Sequence, residues 1–406
     1  MTSNRWLMLG ALFLARTSLG FQFQTVASVA PLLVTDLGIN FTEVGTLIGF
    51  FSALGFATAL PAGLAGKRFG EKRVVLIGLG MMAVGGFVMS GADGFWMAGA
   101  GRLMVGVGGV VITVTMVKLV GDLFEGREVV TAMAILMNSW PVGIALGLWT
   151  QGIIAEIWGW NAVFLVAGLG SVLGFVLVAF VYRVPKRSAH PEAETTPEPA
   201  SNPGTPKPKS RISRREVLLI TLSGLIWTLF NGGFLMVMAF GPALMVARGS
   251  DVAVSGLLIS NGTIAYMIAI PLGAWLSEKW NRPNLVMTGS FAIGAIAVAL
   301  VPFVTDPLFL FIMAGIFIGI PTGNVMALTV EVVRPENRNT GTGIYYSVHH
   351  IGLTTMPILA GWLVDVSGDA AVPMIVGGVS SALAIVFLAL LRFAQRRSFG
   401  VSASAV

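Results

Sequence analysis

The chain is 406 residues long, 55% hydrophobic and 11% charged, with mean hydropathy +0.84, net charge +6 and no cysteine. A water-soluble chain carries about a quarter of its residues as Asp, Glu, Lys or Arg, so this sequence is that of a membrane protein. The lack of cysteine excludes disulfides, thiolate metal sites, iron-sulfur clusters and a cysteine nucleophile; three histidines leave little for a metal, and no cofactor is expected.

In chain order, apolar stretches of the length a bilayer requires, about 20 residues, fall near 6–29, 44–66, 74–91, 96–120, 130–153 and 160–182. After a polar gap they resume near 217–246, 254–276, 284–304, 307–332, 340–365 and 372–392. The first is too long for the apolar region of a cleavable leader and no small-residue cleavage site follows it, so it counts as helix 1. Residues 183–216 turn to Pro, Ser, Thr, Glu and Lys and read as a disordered cytoplasmic linker. The expected organisation is an all-α integral membrane protein with six-helix bundles over 1–182 and 217–393 and a cytoplasmic tail over 394–406.

A cytoplasmic N-terminus puts 21 of the 25 Lys and Arg on that side and Arg248 alone on the other, as the positive-inside rule demands. The opposite loops hold Asp36, Glu43, Asp93, Glu156, Asp251, Asp306, Asp365 and Asp369. The high isoelectric point is thus a matter of topology and leaves nothing to support a nucleic-acid partner. The expected location is the inner membrane of a bacterial-type cell, multi-pass, with both termini cytoplasmic.

A shift of 211 residues lays like on like: Thr17, Phe23 and Pro31 on Thr228, Phe234 and Pro242; Gly38 and Gly45 on Gly249 and Gly256; Gly108 on Gly319; Glu125 and Arg127 on Glu336 and Arg338. Six helices per copy is an even number, so both copies run the same way through the membrane. Such parallel repeats can rock about a site between them and expose it alternately to each side.

The run Gly63-Leu-Ala-Gly-Lys67-Arg68-Phe-Gly70-Glu71-Lys72-Arg73 lies between helices 2 and 3. A degenerate copy, Ala274-Trp-Leu-Ser-Glu278-Lys279-Trp-Asn281-Arg282, follows at the 211 offset, and Arg102-Leu-Met-Val-Gly106 lies in helix 4. These runs resemble the signatures of the major facilitator superfamily. The resemblance implies twelve helices in two parallel six-helix repeats and gating roles for Gly63, Arg68, Gly70, Lys72, Arg102, Glu278 and Lys279. Gly70 would make a tight turn, and the basic residues would anchor at anionic headgroups. Lys67 stands where the family carries an acid, and Trp140-Pro141 stands where many drug antiporters carry Gly-Pro. Asn231-Gly232-Gly233-Phe234 with Pro242 is similar to the cyanate-permease branch, whose substrates are small anions.

An ionisable group inside a membrane costs about 2.5–3.5 kcal/mol on insertion scales, so each needs a reason. The spans hold Arg16, Arg102, Lys118, His349 and His350, and no Asp or Glu at mid-span. Cations without membrane carboxylates suit a substrate that brings its own negative charge. Arg16 lies about 15 Å into helix 1, with Gln24 on its flank; it either binds an oxyanion or is satisfied by carbonyls of a broken helix or polar groups of helix 5. Trp227, its repeat partner, and Asn231 would form an opposing wall, unless Trp227 is ordinary packing. His349 or His350, one turn from Tyr345 and Tyr346, would take a proton with the substrate, or else hydrogen-bond within the bundle. Asn138 is the repeat partner of His349. Thr113 and Asn324 are neutral polar candidates at cavity depth. Arg102 either gates or snorkels to the outer interface, and Lys118 snorkels.

The residues thus describe a monomeric secondary carrier for a small organic or inorganic anion, proton-coupled through His349 or His350, with Arg16, Gln24, Thr113, Asn138, Trp227, Asn231, Asn324, Tyr346, His349 and His350 around the substrate. Export of drugs or metabolites, and a sensor on a transporter fold, are the alternatives. An enzyme is not expected, since no nucleophile, base or metal cluster shares one depth, and no nucleotide-binding loop is present.

Overall fold

The computed structural model describes residues 5–124, 127–183 and 212–396. The expected linker over 184–211 and the tail beyond 396 lie outside the described residues. The described chain is helical: α1 (Arg5–Ser28), α2 (Ala30–Asp36), α3 (Phe41–Ala53), α4 (Gly55–Phe69), α5 (Glu71–Ser90), α6 (Phe95–Leu123), α7 (Arg127–Trp158) and α8 (Trp160–Val181) form the first repeat. The second comprises α9 (Arg214–Ala247), α10 (Val252–Trp280), α11 (Pro283–Leu300), α12 (Leu308–Gly319), α13 (Thr322–Glu331), α14 (Arg338–Ser367) and α15 (Val372–Arg396).

These helices make twelve crossings, because α1–α2, α3–α4 and α12–α13 are each one span with a break. Eleven are long and apolar enough to cross a bilayer on composition alone. The twelfth is α14, which matches its neighbours in length but carries Tyr345, Tyr346, His349, His350, Thr354 and Thr355 through its middle. Large apolar side chains face outward, with Trp96 82% exposed, as only lipid as the surrounding solvent permits.

The face bearing Arg5, the α4–α5 turn and Arg334 is called the near face here, and the opposite one the far face. The 211-residue repeat is written into the turns. Gly38 and Gly249 have φ of +63° and +89°, and Gly70 and Asn281 have φ of +87° and +49°. Left-handed backbone admits Gly freely and Asn at modest cost, so the degenerate signature keeps the turn without its glycine. The repeats differ at their breaks: Pro31 opens α2 after the turn at Val29, whereas α9 runs through Pro242.

The start of α9 is fixed by a capping box in which Glu216 N donates to Ser213 Oγ (3.1 Å) and Ser213 N to Glu216 Oε2 (2.9 Å). The helix therefore begins at Arg214, inside the segment expected as linker. Glu216 also accepts from Arg334 Nη2 (3.0 Å) and Asn337 Nδ2 (3.1 Å), pinning α9 to the α13–α14 connection. The Glu216 hydrogen bond holds the Arg334 guanidinium above its ordinary pKa.

The halves meet where α3 packs on α14, α7 on α10 and α1 on α9. Glycines set these distances. Gly45 and Gly49 of α3 lie against the carbonyls of Pro357 and Thr354, and Gly256 of α10 against that of Leu148, with no space for a Cβ. All of these contacts belong to the far-face halves of their helices. At the inner end of the α3–α14 seam the His350 ring covers Gly55, where a Cβ would fall 2.7 Å from the ring. Toward the near face, α4 packs on α5 and α6, and α10 on α12 and α13, each within its own repeat.

Candidate functional site

Arg16 is 4% exposed. Its Nη1 donates to the carbonyls of Leu136 (2.8 Å) and Met137 (3.2 Å) and to Ser139 Oγ (3.2 Å) on α7. Pro141, inside α7, has no N–H, which strips the Met137 carbonyl of its i+4 donor, and Arg16 supplies the missing one. Sequence reasoning noted Trp140-Pro141 only as a departure from a family motif and did not connect it to Arg16. On the other edge Nε is buried without a partner among the described residues. Satisfaction by carbonyls of α7 accounts for Nη1 but not for Nε. The Nε–Nη2 edge is the fork that meets a carboxylate bidentately.

Arg102 does not snorkel. It is wholly buried, with Nη1 on the Gln22 carbonyl (2.6 Å), Nη2 on the Phe23 carbonyl (2.6 Å) and Nε on the Leu47 carbonyl (3.1 Å). Its guanidinium also lies 4.9 Å from the Phe51 ring centroid. Gly106, one turn on, lets α6 touch the backbone of α3 at Phe50 and Phe51. This signature therefore ties α6 to α1 and α3.

In the second repeat, Trp227 of α9 collects the aromatic residues of α14. The Trp227 ring is parallel to His349 (centroids 3.5 Å apart, 9°) and to Tyr345 (4.8 Å, 13°), and Tyr346 meets it edge-on at 5.1 Å. Tyr345 is fixed by its hydroxyl donating to the Val325 carbonyl (3.0 Å). Tyr346 is 45% exposed and is the ring this cluster presents outward. Nδ1 of His349 and Nδ1 of His350 are both buried without partners among the described residues. Asn231 is half-buried one turn on from Trp227.

Other expectations are corrected by position. Gln24 is no partner of Arg16: it lies about 12 Å further along α1 and donates across the halves to the Met238 carbonyl (2.9 Å). Asn138 does not approach His349; it is exposed, its amide on the Ala134 carbonyl of its own helix (3.1 Å). Asn324 is not at cavity depth, since its amide donates to Ser277 Oγ (2.7 Å) near the near-face end of α10. Thr113 is half-buried on α6. Lys72 is not at headgroups: its Nζ caps α8 through the carbonyls of Ala179 (2.8 Å) and Tyr182 (2.6 Å). Lys118 pairs with Glu71 beside Gly63. Arg68 lies over Phe69 and Lys279 over Trp275, Glu278 is exposed, and Gly70 makes the expected turn. Gly232 and Gly233 press against Met356, Ser380 and Ser381, so the Asn-Gly-Gly-Phe run reports packing of α9 on α14 and α15.

The structure thus gathers two groups, Arg16 with α7 in one half and Trp227, Tyr346 and His349 in the other. They sit on α1 and α9, the helices joined by Gln24 and Met238. Both lie nearer the near face than that junction, by about 12 Å for Arg16 and about 16 Å for Trp227. Sequence reasoning missed Gln22 and Gln151, which bind the Ser171 hydroxyl and the Phe21 carbonyl. It also missed the edge-on cluster of Phe51, Phe23 and Trp140, whose aromatic residue types were visible but not their meeting.

The chain matches the family model described as the Major Facilitator Superfamily over residues 12–251 and 223–404. It is 23% identical to a benzoate transport protein of Acinetobacter baylyi over 64% of this chain and 61% of that protein. It is 24% identical to a probable galactarate/D-glucarate transporter, GudP, of Bacillus subtilis over 96% of this chain and 92% of that one. A bacterial homolog of the human lysosomal transporter Spinster, solved in an inward-facing and occupied conformation, shares the fold with a TM-score of 0.73 at 17% identity, covering 98% of each chain. The chain belongs to the Major Facilitator Superfamily and is a multi-pass membrane transporter.

Proposed function

We propose that this transporter carries a small anion, a carboxylate foremost, across the inner membrane by alternating access. The observation that carries the reading is the divided use of Arg16: Nη1 is held by α7, while Nε is buried without a partner among the described residues, on a helix, α1, that contains no acid. An anion arriving there completes the guanidinium's hydrogen bonds and its charge balance together. The relatives support the choice, since benzoate and galactarate, named for two of them, are both carboxylates.

In this reading the near face is cytoplasmic, as the distribution of basic residues requires. The far-face seams are then an outer gate that is shut, with the Arg16 site reached from the cytoplasm. Tyr346 and Asn231 face the body of the substrate from α14 and α9, and His349 or His350 takes up a proton during the cycle. The protein works as a monomer, and Arg102 with Lys72 and the Gly70 turn hold the first repeat rigid as it rocks.

The test is binding and uptake of a panel of small carboxylates by purified, reconstituted protein. Arg16→Ala abolishes both while the protein remains monodisperse, and Arg16→Lys retains part of the binding. Full transport by the alanine variant would end the anion-site reading.

A further inference from the structure

The far-face seams contain two carboxylates that each cap a helix of the opposite half. Asp365, at the end of α14, accepts from the backbone N–H of Phe41 (2.9 Å) and of Thr42 (2.7 Å) and from the Thr42 hydroxyl (2.5 Å), all at the start of α3. Glu156, at the end of α7, accepts from the backbone N–H of Ala253 (2.9 Å) at the start of α10. Thr42 and Ala253 stand 211 residues apart, so the two capped helix starts are equivalent in the repeat, while the carboxylates that reach them lie two residues out of that register. The first N–H groups of a helix have no partner within it and carry its positive dipole end, so an ionised carboxylate is the group they bind best.

The division of labour at these caps is unusual. On α3, Asn40 of the same half serves the N–H of Glu43 (2.9 Å) and leaves the first two donors to Asp365. On α10, Asp251 stands at the N-cap, yet its side chain makes no cap hydrogen bond, and the cap comes from Glu156 instead. Each half thereby depends on the other to finish a helix. Around the caps the backbones touch, Gly361 on the Phe41 carbonyl and Gly152 on Val252 and Ala253. Parting the halves strips the first N–H groups of α3 and α10 of these partners.

We propose that Asp365 and Glu156 are proton-released latches of the outer gate. Ionised, they hold it shut; protonated, each loses its charge and with it the charge-assisted strength of its bonds to the helix N-terminus, so the seam loosens. The charged groups on the elements packed there are Asp36, Glu43 and Asp369 around Asp365, and Asp251 and Arg248 around Glu156. Arg248 is spent on the carbonyls of Val301, Pro302 and Val304. Among the described residues no Lys or Arg forms an ion pair with either latch. The latches presuppose alternating access but neither the anion nor Arg16, so a conformational readout tests them apart from the substrate.

The chain has no cysteine, so introduced thiols are its only ones. Asp93→Cys and Thr305→Cys place one spin label on an exposed far-face loop of each half, and pulsed electron–electron resonance reads the distance across the gate. At about pH 7.5 the wild-type background gives the short distance, and on stepwise acidification to about pH 3 a longer population grows. Asp365→Asn with Glu156→Gln gives the longer population at both values, and each single change gives an intermediate share. A distance unmoved by pH in the wild-type background would overturn the proposal without relying on any variant. A double variant that stays short, or that keeps the wild-type response and so assigns it to His350 or another group, would overturn it equally.

Discussion

Arg16 and Arg102 lie in the same half, are both buried, and neither pairs with an acid among the described residues, yet they do different things. Arg102 places Nε, Nη1 and Nη2 on carbonyls of α1 and α3. Arg16 places Nη1 on α7 and keeps Nε without a partner among the described residues. Burial and charge do not separate a structural cation in a membrane from a binding one. The number of its donors that the protein itself consumes does.

The largest effect expected from this contrast is on Arg16. Two charge-assisted hydrogen bonds at about 1.5–3 kcal/mol each mean that Arg16→Ala weakens anion binding at least about 100-fold, measured by titration calorimetry on purified protein. Next come His349 and His350. If one of them carries the coupled proton, replacing that one with Gln removes pH-driven accumulation, about tenfold per pH unit for one proton, while counterflow exchange persists; proteoliposome uptake with an imposed gradient measures both. Pro141→Ala sharpens the comparison, because it returns an N–H to the Met137 carbonyl and competes with Arg16 Nη1. Loss of about 1 kcal/mol of positioning, roughly fivefold in affinity, is the expected outcome. The smallest effect on affinity is that of Arg102→Met, within about twofold, whereas loss of three charge-assisted hydrogen bonds at about 1.5–3 kcal/mol each lowers the melting temperature markedly. An Arg102 variant that loses binding but keeps its stability would erase the distinction.

Much of the fold was legible in sequence because membranes restrict the choices. Length and hydropathy give the spans, and positive φ demands Gly or Asn, so the 211-residue repeat could be read through Gly38 with Gly249 and Gly70 with Asn281. The polar span α14 was legible from its length and place in the repeat. The neighbours of a side chain were not. Helical periodicity gives the direction of Arg102 around α6 but not the α1 carbonyls it meets. Asn138 and His349 are equivalent under the repeat, but equivalence means the same place in each half, and only residues near the axis between the halves also touch. Asp365 and Phe41 are 324 residues apart, and nothing local marks an acid at a helix end as the cap of a different helix. Arg16 was legible as a charge needing a partner, but its use of the Pro141-freed Met137 carbonyl, with Nε left unpartnered among the described residues, required the packing of α1 on α7.

The measurement that bears most directly on the role of Arg16 is a thermal-shift titration of wild-type, Arg16→Ala and Arg102→Met protein against one panel of benzoate, galactarate, cyanate and nitrate. A ligand that binds only the folded form raises its stability in proportion to occupancy. At least one anion should stabilise the wild type and Arg102→Met by a similar increment and leave Arg16→Ala unmoved. An anion that stabilises Arg16→Ala as much as the wild type would contradict the assignment of the site to that guanidinium.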